Sequence, residues 1–398
     1  MQVGDEIELT CERVVAGGDA IAREDDGRIV FVRGGLPGEV VAARVDVVRK
    51  DRLNATAVAI VVPSADRVDS PCPKVAEGCG GCEWQHAAPG AQGALKHSIV
   101  VDALTRIARM PDTRVHPTIS LADRDYRTTL RALVAPDGRL ALRRRGSHDP
   151  VGIDGCLVAH PRVREVLDNT NFADAHEVLI RVGAGTDELL VMVDGDASAV
   201  TGMPDGATVV PKHDSGAHFS ALVRDRRFRI SGGSFFQSHV HSPEVLVGLV
   251  QAAVAPLGHL HRVADMYAGV GLFGAFIDAD SIIAIEASRA AARDAKSNLS
   301  GRGARGAIVV CAKVESADLG DCDVVIADPP RDGLGAGGVR VVNDADPAMV
   351  VLISCEPAAG ARDLRALTGL GFTLESVQPV DQFPHTSHVE MVSILRRG

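Results

Sequence analysis

The 398-residue chain is poor in aromatics: one tryptophan, two tyrosines and ten phenylalanines make up 3% of it. So few rings exclude a protein that grips single strands mainly by stacking bases on aromatic side chains. No uninterrupted apolar run is long enough to cross a membrane as a helix. The opening segment MQVGDEIELTCERV is acidic and lacks the basic-then-apolar pattern of an export signal. Together these absences set the expectation of a cytoplasmic protein without membrane contact. An excess of positive charge is missing too, with 42 Lys and Arg against 52 Asp and Glu and a net charge of -10. That excludes a uniformly basic nucleic-acid binder, although phosphates respond to local patches and not to the average.

What is present is an ordinary globular composition, 46% hydrophobic and 24% charged, in a length that suggests two or three domains. Apolar and polar residues alternate in EIELTCERV and RIVFVRG, between turn signals at Gly17-Gly18, Asp26-Gly27 and Gly34-Gly35. Short strands at this spacing predict a small barrel over residues 1–60. VPSADRVDSPCP reads as a linker, a helix is expected near Leu95 to Arg109, and strand-like pieces follow to about residue 230. From His261 onward strand, glycine loop and helix alternate, the pattern of a parallel sheet with helices on both faces. Two segments run against the acidic average: DYRTTLRALVAPDGRLALRRRGSH from Asp125 to His148, and RDRRFRI from Arg224 to Ile230. Taken alone, each reads as a solvated face. Beside an RNA-binding domain, each reads as a set of phosphate contacts.

Eight cysteines are present, and four form a pattern. Cys72, Cys79 and Cys82 lie in CPKVAEGCGGCEWQH, and Cys156 follows in IDGCLVAHP. In a long intracellular chain such clustering points to metal or catalysis before disulfides. Two thiolates separated by two residues can grip one centre, with glycines letting the backbone wrap it closely. Four thiolates suit a zinc ion or an iron–sulfur cluster equally, and buried thiols without metal are the plainer alternative. The spacing is not the three-then-two pattern of radical enzymes that cleave S-adenosylmethionine.

HRVADMYAGVGLFGAFI reads as a strand, a tight turn with Gly269, Gly271 and Gly274, and a helix. SIIAIEAS is a second strand, ending in Glu286 where an acid would meet ribose hydroxyls. CDVVIADPPRDG places Asp328 and a proline pair after a third. In MVVLISCEPAAGARDL, Cys355 ends a further apolar strand and Pro357 opens a helix. A helix N-terminus favours a thiolate and lowers its pKa, although packing is the commoner fate of a cysteine in such a run. FTLESVQPVDQFPHTSHVEMVSILRR reads as two strands with a turn around Phe383 to His388. If the final strand runs antiparallel to its neighbours, Glu390 starts at the sheet edge where Cys355 ends.

Family resemblances give these pieces a chemistry. GDAIAREDDGRIVFVRGGLPGEVVAARV resembles the TRAM domain, an RNA-binding barrel attached to RNA-modifying enzymes. The glycine loop, Glu286 and DPPR resemble a class I S-adenosylmethionine-dependent methyltransferase. A nicotinamide oxidoreductase fits less well, because the glycine fold starts late and no base for hydride chemistry stands out. Enzymes that methylate exocyclic amines usually carry an aromatic after the proline pair; Arg331 stands there, which suits carbon methylation. Cysteine, six residues, CGGC, two residues and Gln85-His86, with GGSFFQSH, LISCEPAAGARDL and FPHTSHVEMV, resembles the RNA uracil-5-methyltransferases over nearly the whole chain. That resemblance implies a structural [4Fe–4S] cluster on Cys72, Cys79, Cys82 and Cys156. It also implies Cys355 as the attacking thiolate, Glu390 as the general base, and Gln237, Tyr267, Gly269, Glu286 and Asp328 around S-adenosylmethionine. The chain departs from the family at Glu356 and His239, where asparagine is common, and a second carboxylate at Glu356 would raise the thiol pKa.

The resulting expectation is a TRAM-like, OB-type β-barrel over residues 1–60, a central α+β iron–sulfur and RNA-binding domain over 61–235, and an α/β Rossmann-like methyltransferase over 236–398. Its reaction is methylation of carbon 5 of a uridine in RNA. Carbon 5 is too weak a nucleophile until a thiolate adds to carbon 6, and a base must then remove the carbon 5 proton. A base held in structured RNA has to be flipped out to reach the thiol. Barrel and cluster together favour ribosomal RNA over transfer RNA, and a monomer suffices. The rivals are a non-catalytic RNA-remodelling protein and an amine methyltransferase, and the pairing of Cys355 with Glu390 speaks against both.

Overall fold

A run such as MVVLIS cannot rest on a surface, and the strand Met349–Ser354 that it forms is buried at all six positions. It lies within an eight-stranded sheet in a computed structural model that describes residues 1–300 and 306–398. The sheet order is Ala307–Val310, Ser281–Ile285, Arg262–Met266, Val324–Ala327, Met349–Ser354, Glu390–Arg397, Phe372–Asp381 and Ile119–Ser120. The first five strands are parallel, as runs buried on both faces require. Glu390–Arg397 is antiparallel to both of its neighbours, so the expected reversal is present.

Successive side chains of a strand face opposite ways. Met349, Val351 and Ile353 therefore share a core with Leu246 and Val250 of the helix Ser242–Val254. Val350 and Leu352 share the opposite core with Val342 of Gly335–Asp344 and Leu364 of Pro357–Thr368. Each such side chain contributes roughly 1.5–3 kcal/mol by leaving water. The helix Pro89–Ala103 joins this second core from the middle of the chain, through Val100 and Ala103. It begins on a proline, at the position where the missing N–H costs nothing.

At the N-terminus six strands form one sheet, ordered Glu6–Thr10, Val40–Val48, Arg52–Val62, Ile29–Arg33, Ala20–Arg23 and Arg13–Val14. Its inward residues, among them Leu9, Val30, Val41 and Leu53, form a separate core. A second six-stranded sheet occupies the middle of the chain, with Thr129–Val134 and Glu177–Val182 at its centre. The helix Pro161–Asn169 covers it, and Cys79 and Cys156 pack at the edge of its core.

The run RDRRFRI is not a free basic face. It is the second strand of a hairpin, Arg226–Ser231 on His218–Val223. Arg224 donates to Gln251 Oε1 at 2.6 Å, Arg226 to the Ala275 carbonyl, and Arg227 to Glu188 Oε1 at 2.9 Å. Arg229 pairs with the buried Asp294. Arg226 and Arg229 thus satisfy acceptors within the fold, whereas Arg224 and Arg227 pair at its exposed surface. In the earlier run Arg139 bonds the Leu167, Asp168 and Thr170 carbonyls at the end of the helix Pro161–Asn169. The backbone of Arg143 to Arg145 lies against the cysteine loop, with Gly80 N–H donating to the Arg143 carbonyl at 3.1 Å.

Candidate active site

Four strands, Arg262–Met266, Ser281–Ile285, Val324–Ala327 and Met349–Ser354, end at one edge of the large sheet, delivering Tyr267, Glu286, Asp328 and Cys355. The antiparallel strand begins at that edge with Glu390. These residues, with Gln237 and Gly269, line one cleft of about 630 Å³. All seven side chains and glycines expected around the nucleophile, base and cofactor are thus gathered in one place. In open α/β sheets such strand ends are where ligands bind.

The glycine loop is held open by its backbone. Tyr267 and Gly269 have φ of 59° and 56°, the left-handed region that a residue with a side chain occupies only when its surroundings compel it. Glu286 fixes the turn: its Oε2 accepts from Gly269 N–H at 2.9 Å and its Oε1 from Ser288 N–H at 2.6 Å. Gln237 donates to Asp328 Oδ2 at 3.4 Å, tying the segment before the sheet to the strand end. The cleft is more apolar on the side of Leu272, Phe273 and Phe236, and polar where Glu286, Asp328 and Glu390 face it. A nucleoside carrying a sulfonium fits such a lining: apolar wall for the base, an acid for the ribose, carboxylates near the cation.

Burial dominates the titration of the acids. Asp328 is pushed up to about 7 by burial and by Asp265 beneath it. Glu390 is raised well above the ordinary range by burial and then by Asp328. One Glu390 oxygen accepts from Gln382 Nε2, while Oε1 is buried without a partner among the described residues. The Cys355 thiol is pushed up to about 12, by burial first and then by Glu390 and Asp328, with Arg331 opposing. The expected lowering by the helix N-terminus is therefore outweighed in the resting cleft. Cys355 does precede that helix, with Glu356 at its N-cap and Pro357 in its first turn.

Three side chains escaped the sequence reading. Gln382 bonds to Glu390 only because the hairpin folds Phe372–Asp381 back beside it, pairing Val380 with Glu390. Asp265, one acid in the strand Arg262–Met266, is fully buried, accepts from Gly274 N–H at 2.9 Å and is itself pushed up to about 7 by burial. His388 lines the cleft, and burial first and then Arg331 lower its pKa. His239, which departs from the family pattern, is a core residue and does not face the cleft. Its ring stacks on Tyr126 at 4.7 Å, its Nδ1 accepts from His241 N–H, and its Nε2 therefore carries the proton donated to the Ala122 carbonyl. Burial pushes it down to about 4, so it stays neutral.

The four cysteines Cys72, Cys79, Cys82 and Cys156 are free and half-buried. They lie near enough to act on one another: the Cys82 thiol is pushed up to about 12, by burial first, with Gln85 opposing and Cys156 and Cys79 adding to the rise. Cys79 and Cys156 are likewise raised, by burial first and then by neighbouring thiols. Gln85 accepts from Cys72 N–H at 3.2 Å and orders the loop. Four free thiols in one half-buried place suit a cationic or iron-containing group that accepts four sulfurs.

Residues 1–58 match the model of the TRAM domain, and residues 308–398 match that of the tRNA (uracil-5-)-methyltransferase family. An uncharacterized RNA methyltransferase of Streptomyces coelicolor is 33% identical over 99% of this chain and 93% of its own. One from Streptomyces avermitilis is 32% identical over 99% and 98%. Among solved structures, the Pyrococcus abyssi tRNA (uracil-54, C5)-methyltransferase in complex with S-adenosyl-L-homocysteine superposes with a TM-score of 0.74. It covers 97% of this chain and 100% of its own at 23% identity, a likeness of fold.

Proposed function

The chain belongs to the RNA (uracil-5-)-methyltransferase family, and from that premise we propose that Cys355 and Glu390 carry the reaction through a covalent cysteine–uracil adduct. The observation that carries the reading is a thiol and a buried carboxylate with one oxygen unpartnered among the described residues, lining the same cleft as the glycine loop. S-adenosylmethionine supplies an electrophilic methyl group there. The Cys355 thiol first gives its proton to solvent; its sulfur then bonds to carbon 6 of the uracil, and the ring electrons this frees make carbon 5 the nucleophile toward that methyl group, whose bond to the sulfonium sulfur breaks as the new carbon–carbon bond forms. Glu390, in its ionised form, takes the carbon 5 proton on Oε1, the ring double bond reforms and the sulfur–carbon bond breaks, returning the thiolate. Gln382 holds the other Glu390 oxygen, so the accepting one stays aimed at the ring. Arg331 is the charge that favours the thiolate against two carboxylates.

The RNA we propose is ribosomal RNA, on the resemblance of barrel plus cysteine centre to that branch of the family, with the protein acting as a monomer. Cys72, Cys79, Cys82 and Cys156 would hold a [4Fe–4S] cluster that cross-links the loop to the central sheet. No step of methyl transfer runs through it. The test is transfer of labelled methyl from S-adenosylmethionine to RNA from a strain lacking the gene. Label in 5-methyluridine of the ribosomal fraction is expected. Label in the transfer-RNA fraction would replace the substrate, and label in another nucleoside would overturn the Cys355 chemistry.

A further inference from the structure

Between CGGC and Gln85 stand two residues without a role so far, Glu83 and Trp84. Both reach the turn that precedes the proposed base. Glu83 Oε1 accepts from the Ser387 backbone N–H at 2.8 Å and from the Ser387 hydroxyl at 2.7 Å. Trp84 donates its backbone N–H to the His385 carbonyl at 2.9 Å. Its indole N–H donates to the Gly18 carbonyl of the N-terminal sheet at 2.9 Å, and its side chain is wholly buried. A methyl group on Gly18 would stand 2.8 Å from Glu83 Cγ, so the N-terminal turn closes directly over this pair.

The turn they hold is under strain. His385 is left-handed, with φ of 65°, and its N–H donates to Gln92 Oε1 at 2.7 Å. Such a conformation costs on the order of 1–3 kcal/mol and persists only where contacts over-determine it. The turn carries Gln382 at one end, His388 in the cleft and Glu390 at the other end. Cys82 precedes Glu83 directly, so the cysteine loop sets where the Glu83 carboxylate lies.

We propose that Glu83 is a positioning residue for the general base: by gripping Ser387 it fixes the 382–390 turn, and it does so only while the cysteine loop keeps its shape. This rests on the reading of Cys355 and Glu390 given above. Proton removal is then the step that depends on Glu83, while thiol addition and cofactor binding do not.

The test compares wild type, Glu83→Ala and Glu83→Gln with S-adenosylmethionine and uridine-containing RNA. Glu83→Ala is expected to lose about tenfold or more in turnover, equivalent to about 1.4 kcal/mol in the barrier, with S-adenosylmethionine affinity unchanged. Its covalent protein–RNA adduct should accumulate on ordinary uridine, as for a variant lacking the base. Glu83→Gln keeps an oxygen that accepts from Ser387 and should restore turnover. Trp84 is the chain's one tryptophan, so acrylamide quenching of its emission reads the same joint without catalysis. Quenching should rise in Glu83→Ala, return in Glu83→Gln, and rise in wild type after chelators and oxidant strip metal from the cysteines. If Glu83→Ala is insoluble, Ser387→Ala removes one of the two donors and should show the same adduct in smaller amount. Normal turnover in Glu83→Ala, or a loss matched by weaker cofactor binding, overturns the proposal. RNA containing 5-fluorouridine separates the two readings, since its adduct with wild type forms without proton removal. Absence of that adduct overturns the Cys355 chemistry itself.

Discussion

Replacing Glu390 acts on two groups at once. With Glu390→Gln the carbon 5 proton has no acceptor, so a covalent RNA adduct is expected to persist on denaturing gels. The same change relieves Cys355 of the carboxylate that, after burial, most raises its thiol. Its alkylation by iodoacetamide near neutral pH, followed on the Cys355 peptide by mass spectrometry, should quicken about tenfold for each unit of pKa recovered. An unchanged rate would mean that the carboxylate does not reach the sulfur. Cys355→Ala should abolish turnover, which an amine methyltransferase would survive. The shared sheet edge of Cys355 and Glu390 was legible in the sequence because strand ends are set locally, by where an apolar run stops. Gln382 was not, because only the pairing of Val380 with Glu390 places it beside that carboxylate. Asp265 was hidden for a different reason: an acid within a strand pattern gives no sign that a glycine turn will close over it.

At the scale of the element, the hairpin His218–Val223 and Arg226–Ser231 is fastened to the helix Arg289–Leu299 through Asp294. That carboxylate accepts from Arg229, from Ser231 N–H at 2.7 Å and from the Ser234 hydroxyl at 3.1 Å. Arg229→Ala leaves a buried charge without its counterion and should cost about 3–5 kcal/mol of stability, seen as a lowered midpoint in urea. A loss within a few tenths of a kcal/mol would show the pair to be dispensable. Composition could not foretell this, because a run of arginines reads the same whether it faces water or an acid from a helix some sixty residues onward. RNA contact is better sought in the N-terminal sheet, where Arg33, Arg49, Arg52 and Phe31 line one groove. Replacing its three arginines with glutamine should weaken RNA binding and lower the slope of log affinity against log salt by about 3. An unaltered slope would place the phosphates elsewhere.

For the whole molecule, the buried acids make stability depend on pH in an uncommon sense. Asp265 and Asp328 rise from the ordinary carboxylate range to about 7, and Glu390 rises with them. Between about pH 4 and about pH 7 these acids hold more protons in the folded protein than in the unfolded chain, so their contribution to stability falls as pH rises through that window. Buried His86 and His239, both pushed down to about 4, contribute with the opposite sign. The acid contribution is therefore read by difference: Asp265→Asn, which keeps an acceptor for Gly274, should gain stability relative to wild type as pH rises from about 4 to about 7. A difference in Tm that stays constant over the window would contradict the raised carboxyl of Asp265. The broad plan, a parallel sheet, was legible, although the helix expected after the glycine turn is only a short 3-10 turn over Gly274–Phe276. The joints were not, because hydrogen bonds such as Glu83 to Ser387 link residues 304 positions apart and leave no local pattern.

The strand Glu390–Arg397 lies between Met349–Ser354 and Phe372–Asp381, yet it follows both in the chain. On the ribosome, its two neighbours emerge first with a gap that no earlier segment fills. The nascent chain can shape its barrel and its cysteine loop, but not a working cleft. Only when the last of the three strands is threaded into the gap do Cys355, Glu390 and the waiting Glu83 meet. The proposed catalytic pair is therefore the last thing the large sheet assembles, after the edge that receives it is already built.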